Sequence, residues 1–404
     1  MRTPPEQGVL RSLLLSIYLP ILTTQTGLGM LVPTLPLYLR ELGFGFTLVT
    51  VVLAGTGIGG LLANAPAGRL LERDDTDLAV VIGVGTMAGS MATLALVESA
   101  ALLTLSQAVT GAGAVVLILS RQTVVLRRTP ADMRGRAMSF VGGTQRVSFL
   151  AGPAVGGFLA DAVGFRSTFL VAATLAAIGL LPGALGRGAS GAGSSRHRRP
   201  VAPFRHVVRQ HARSLAAAGS GQLGSMAIRF GRQALFPLYG AAIGLEAGQI
   251  GLIVSLSALA DLAVFPISGV LMDGRGRLWA VVPAFTIMSL GMFVLAATDG
   301  TAGLVLSGLL VGVGNGIGSG TMLTVSTDLA PAESPGQFLA ALGLVRDVGR
   351  MGGPLVVGIA ADRLGIDWSA IALGLIGLAT VAVFVLVVGE TKPMPADEDA
   401  QRGA

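Results

Sequence analysis

Of the 404 residues, 52% are hydrophobic and only 12% charged, against about a quarter charged in an ordinary soluble domain, so the composition fits lipid rather than water as the main solvent. The formal charge of +6 lies on arginines that form no single face and no patch interleaved with aromatics, which argues against nucleic acid as a partner. With no cysteine, and with His197, His206 and His211 confined to one polar stretch, the chain offers neither a thiolate nor a membrane imidazole, so no metal or other cofactor is expected.

The apolar residues recur in a dozen runs, each long enough to cross a ~30 Å hydrocarbon core at about 1.5 Å per residue. Six spans are predicted at 12–39, 46–71, 78–98, 101–126, 137–160 and 165–186. The first run continues past the length of a signal-peptide core into Pro33 and Pro36, so it reads as a span. Residues 187–213 then break the pattern with Gly, Ser and Pro followed by Arg196, Arg198, Arg199, Arg205, Arg209 and Arg213, a basic linker suited to anionic head groups. Six more spans follow at 214–240, 247–272, 279–298, 301–327, 338–361 and 367–389, and Asp397, Glu398 and Asp399 mark a short acidic tail. The domain organisation is therefore 1–186, linker 187–213, and 214–404. Twelve spans put both termini on one side. About 19 of the 28 Arg and Lys fall on that side, with only Arg40, Arg166 and Arg363 opposite, so the positive-inside rule makes both termini cytoplasmic in a multi-pass cell-membrane protein.

A repeat at a constant offset of 201 residues relates the two sets of spans. Pro36-Leu37-Tyr38 returns as Pro237-Leu238-Tyr239, and Pro130-Ala131-Asp132 as Pro331-Ala332-Glu333. Gly152-Pro153, Gly157, Asp161 and Gly164 return as Gly353-Pro354, Gly358, Asp362 and Gly365. Glycine matches are cheap in so glycine-rich a chain, but three of ten prolines find a partner where about half a match is expected by chance. Six spans per unit in one orientation imply parallel halves about an axis normal to the membrane.

On these residues the chain resembles the major facilitator superfamily over nearly its whole length. The family signature G-x-L-x-D-R-x-G-R-R after the second span appears as Gly68-Arg69-Leu70-Leu71-Glu72-Arg73, without the terminal basic pair, and again as Gly269-Val270-Leu271-Met272-Asp273-Gly274-Arg275-Gly276-Arg277. A carboxylate at such a helix end can bond the free N–H groups at the start of a helix in the other half. Gly152-Pro153-Ala154-Val155-Gly156-Gly157 is similar to the G-P-x-x-G-G element of drug/proton antiporters, with Ser148 in place of its upstream glycine. Gln107 stands where that type carries a fourth-span arginine. The resemblance implies an all-α fold of twelve helices that acts as a monomer in the bilayer, exchanging small molecules and protons.

Charged side chains inside a membrane must face protein or water, because an arginine at a helix centre costs about 2.5–3.5 kcal/mol. Arg229 and Arg232 share a face of the seventh span, Arg146 lies in the fifth, and Arg346 and Arg350 share a face of the eleventh. The acids there are Asp261 and Asp347. Two readings stand: the charges pair with one another, Asp347 with Arg350 and Asp261 with Arg229 or Arg232; or the arginines select an anionic substrate while Asp261 and Asp347 exchange protons. Gln25, Asn64, Gln145, Gln222 and Asn315 are further cavity candidates. Arg121 is expected to snorkel, and Tyr38 and Tyr239 to anchor at the interface. No phosphate-binding G-x-x-x-x-G-K-[ST] loop is present. The expectation is a secondary active exporter of drug-like or natural-product compounds, conferring resistance, with an importer as the rival. A non-transporting sensor of the same fold and a membrane enzyme, which lacks its catalytic cluster, stand behind.

Overall fold

The computed structural model describes residues 18–71, 76–128, 134–181, 204–331 and 333–392. Glu72, Arg73 and most of the basic linker lie outside them. The first half comprises α1 (Leu19–Glu41), α2 (Phe46–Leu71), α3 (Thr76–Leu96), α4 (Ala100–Arg128), α5 (Arg134–Val163) and α6 (Phe165–Ile178). A short helix, α7 (Phe204–Gln210), precedes α8 (Ala212–Ala242), α9 (Ala247–Gly274), α10 (Leu278–Ala297), α11 (Gly300–Ile317), α12 (Thr321–Asp328), α13 (Pro335–Leu364) and α14 (Ile366–Val383). The chain then widens into a π turn at Phe384–Val388.

The predicted spans agree with these helices to within a few residues at most ends, with one physical exception. The tenth span is two helices, α11 and α12, because the run Gly316-Ile317-Gly318-Ser319-Gly320 ends the first, and Gly320, at φ 77°, starts the second. Among the described residues seven segments are long and apolar enough to cross a membrane on composition alone. Helices α1, α5, α8 and α13 fall short of that standard. They carry the threonines, glutamines and charges that polar interiors need.

Within each half the order of packing repeats: α2 lies on α4 as α9 lies on α11, and α1 lies on α5 as α8 lies on α13. The halves meet through α5 with α9 and α2 with α13. Phe169, Phe285, Phe338 and Met91 fill the interior, while Leu62, Val270 and Leu386 remain exposed, an apolar rim suited to hydrocarbon. Tyr38 and Tyr239 are not interfacial anchors. Both are buried, Tyr38 edge-on to Phe169 at 5.3 Å and Tyr239 donating its hydroxyl to the Thr298 carbonyl at 3.1 Å. Arg121 does not snorkel either: it is buried and donates to the Thr24 hydroxyl at 3.1 Å.

Candidate functional site

At the end formed by loops 42–45 and 243–246, each half grips a helix start of the other. Asp161, on the last turn of α5, accepts hydrogen bonds from the N–H groups of Ala247 (3.1 Å) and Gly248 (2.7 Å) at the start of α9. Asp362, on the last turn of α13, accepts from Phe46 (3.1 Å) and Thr47 (2.7 Å) at the start of α2. Each carboxylate occupies donors that a helix start leaves open and faces the positive end of a helix dipole. The offset of 201 separates both the acids and their partners, so this is one device used twice. Beyond the span end, burial pushes the Asp362 carboxyl up, but bonds from Thr47 and Phe46 outweigh it and hold the pKa below its ordinary value. Gly157 permits the approach, since a β-carbon there would run into the Ala247 carbonyl.

From that end the halves stay in contact to mid-depth. The Ala154 amide donates to the Ser255 hydroxyl at 3.0 Å. Further along, Arg146 pairs with Asp261 at 2.7 Å and stacks on Phe265 at 4.1 Å. At the related crossing Asn64 donates to Asp347 at 2.7 Å. Nearer the terminal end, a β-carbon on Gly142, Gly143 or Gly269 would meet nothing within 4 Å. Among the described residues, the gap between the halves is thus closed from the loop end to mid-depth.

Between the halves lies a cavity of about 260 Å³. Leu28, Leu31, Leu35, Phe149 and Phe230 give it an apolar wall, and Gln25, Gln107, Gln145, Gln233 and Arg350 supply its polar points. The Arg350 guanidinium lies 4.8 Å from the Phe230 ring centroid, and its Nε–H, like the Gln107 amide nitrogen, is buried without a protein partner. These donors suit an organic molecule with acceptor groups.

Of the sequence candidates, Gln25, Gln145 and Arg350 line this cavity. Arg229 instead donates to the Gly318 carbonyl at 2.7 Å, and Arg232 to the Ser257 hydroxyl at 3.2 Å. Arg146 also donates to Ser319. Asp261 pairs with Arg146, not with Arg229 or Arg232, and the guanidinium nearest Asp347 is Arg346 at 3.5 Å rather than Arg350. Asn315 is half-buried away from the cavity lining. Sequence reasoning missed Thr56, Phe149, Phe230 and Gln233, which nothing marked, and left out Gln107, whose place in the family pattern was a usable signal.

The conformational motifs divide. Gly152, Pro153, Gly156 and Gly157 lie where α5 packs on α1 and α9: Gly152 abuts Gly29, Gly156 abuts Met30, and Gly157 and Pro153 face α9. In the second signature copy, Gly269 has an open side, Asp273 is exposed, and Arg277 bonds Asp328 at 2.9 Å within its own half. Asp273 caps no helix of the other half; among the described residues the cross-half helix caps are made at the opposite end, by Asp161 and Asp362. Glu72 and Arg73 lie outside the described residues, and Gly68 lies in the last turn of α2, which ends at Leu71.

Two six-helix halves around a polar-lined gap, capped at one end, define an integral membrane transporter. The model of the Major Facilitator Superfamily matches residues 18–354 and 221–403, and the chain belongs to that family, one of transporters rather than enzymes. The quinolone resistance protein NorA of Staphylococcus aureus is 23% identical over 159 residues, which cover 39% of this chain and 41% of that relative, under half its length. An uncharacterized MFS-type transporter, MT2531 of Mycobacterium tuberculosis, is 26% identical over 367 residues, 84% of each chain. Among solved structures, a D-xylose–proton symporter matches with a TM-score of 0.75 at 15% identity over 96% of this chain and all of that one. A bacterial homolog of the human lysosomal transporter Spinster, inward-facing, matches with a TM-score of 0.75 at 12% identity, covering 96% and 98%. At such identities the likeness is one of fold.

Proposed function

We propose that the protein is a proton-coupled exporter of small amphiphilic organic compounds, preferring those with an anionic or strongly accepting group, and works by alternating access. The observation that carries this reading is the cavity wall: one guanidinium, Arg350, among four glutamine amides and a mainly apolar lining. A sugar-like solute needs polar partners on most of its faces, and this wall gives few, so an amphiphile fits better than a carbohydrate. The partial similarity to a protein named for quinolone resistance supports the choice of an exporter over an importer. On this reading both termini are cytoplasmic, the Asp161 and Asp362 caps seal the outside and the cavity opens inward; the arginine distribution supports that orientation.

Asp347 is the better proton carrier of the two acids. Neutralising it weakens a bond to a neutral amide, Asn64, and a long 3.5 Å pair with the exposed Arg346, whereas neutralising Asp261 breaks a 2.7 Å ion pair and strands the largely buried Arg146. Asp347 also joins the halves where they rock, so its charge bears on their relative position. The test is transport in oriented proteoliposomes under an imposed pH gradient, with a panel of anionic, neutral and cationic amphiphiles. Net movement of anionic and neutral members from the terminal side to the loop side supports the reading; a preference for cations, or accumulation in the other direction, contradicts it.

A further inference from the structure

Outside the central cavity, three arginines converge on one stretch of α9 and the break between α11 and α12. Arg146 reaches from α5 to Asp261 on α9, while Arg229 and Arg232 come from α8. Arg146 and Arg229 bond neighbouring residues, the Ser319 hydroxyl and the Gly318 carbonyl, and Arg232 bonds Ser257 on the same helix as Asp261. The direct partners of Arg229 and Arg232 are neutral: a Gly318 carbonyl freed where α11 gives way to α12, and the Ser257 hydroxyl one turn from Asp261. Among the described residues no carboxylate lies within 4 Å of either. The Nε–H of both is buried with no hydrogen-bond partner.

An uncompensated buried charge costs several kcal/mol, and here cations outnumber acids by three to one. Interrupted backbone at membrane depth, as at Gly318–Gly320, occurs in transporters where it lines a cavity or site. The cluster is reachable: Arg146 and Asp261, which meet between the halves, keep 18% and 14% of their side-chain surface exposed. It is separate from the central cavity, whose lining takes Phe230 and Gln233 from α8 but neither arginine.

We propose that Arg146, Arg229 and Arg232 form a second site that binds a small monovalent anion entering from the terminal end, with Asp261 as its internal competitor. The chemistry is that of chloride or a short carboxylate, held by guanidinium N–H donors. The site stands apart from the proposed substrate and from the direction of transport.

The test uses the full-length protein in nanodiscs in gluconate buffer, titrated with chloride and, separately, with acetate, and read by the unfolding midpoint and, for chloride, by 35Cl line broadening. Saturable stabilisation is expected, by chloride alone for a halide site or by acetate for a carboxylate site. Arg232→Gln is expected to weaken it about tenfold or more, Arg232→Lys to retain most of it, and Asp261→Asn to tighten it. The proposal is overturned if neither anion gives saturable stabilisation of the wild type, or if Arg232→Gln responds like the wild type. Should Arg232→Gln not fold, an Asp261→Asn protein that binds no tighter overturns it equally.

Discussion

Arg350 carries the formal charge on the cavity wall, so its removal separates electrostatic recognition from shape. A charge-assisted hydrogen bond contributes about 1.5–3 kcal/mol, so Arg350→Gln is expected to raise the KM for a carboxylate-bearing substrate roughly tenfold or more. The KM for a neutral amphiphile of like size stays unchanged, as measured by initial transport rates in proteoliposomes. The two membrane acids are expected to differ in kind. Asp347→Asn abolishes pH-driven accumulation but leaves substrate exchange at equal pH. Asp261→Asn mainly destabilises, by about 1–3 kcal/mol in thermal unfolding in gluconate, less than for a fully buried pair because both partners retain some exposure. Sequence spacing showed that Arg229 and Arg232 share a face and that Asp261 and Asp347 lie at membrane depth. It did not show which neighbour that face meets, because every apolar helix offers a similar surface to its partners. Arg146 therefore pairs with an acid in the other half, and the cavity takes Gln233 in place of its neighbour Arg232.

At the scale of elements, the helix starts of α2 and α9 hold the loop end closed through Asp362 and Asp161. Asp161→Asn with Asp362→Asn is expected to shift the halves toward separation at that end, each cap being worth about 0.5–2 kcal/mol. Because the chain has no cysteine, spin labels at Glu41→Cys and Ala242→Cys report the change as a longer, broader distance distribution. An unchanged distribution contradicts the gating role. The pH dependence has a definite sign. The Asp362 pKa is lowered in the closed form, so its contribution is complete above the ordinary carboxylate pKa and is lost only as pH falls through the depressed value. Closure by this cap is therefore insensitive to pH near neutrality, and Asp362→Asn leaves the pH profile of transport unmoved. The repeat had already paired Asp161 with Asp362, but the capping role was assigned to the signature acids at the other end. A helix start draws whichever carboxylate the packing brings to it, and only the assembled halves reveal which one that is. The break between α11 and α12 was likewise hidden, since its glycines also suit close packing within an unbroken span.

In the whole molecule, the shared residues and the unshared ones divide the work. Gly157 and Gly358, Asp161 and Asp362, and the paired Gly-Pro elements repeat and build the frame in which two halves rock. The crossings at mid-depth do not repeat: Arg146 meets Asp261 on one side, while the related position, Asp347, meets Asn64 on the other. In the proposed mechanism a proton arriving at one crossing acts on one side of the pseudo-symmetric frame, so a charge change there would bias one orientation over the other. The most direct test compares wild type and Asp347→Asn in proteoliposomes, recording movement of an anionic amphiphile and of protons at once after a pH jump. The account predicts opposed fluxes of substrate and protons in the wild type, and in Asp347→Asn substrate exchange without proton movement. Substrate driven equally by the gradient in both proteins, or protons moving in the same direction as substrate, contradicts it.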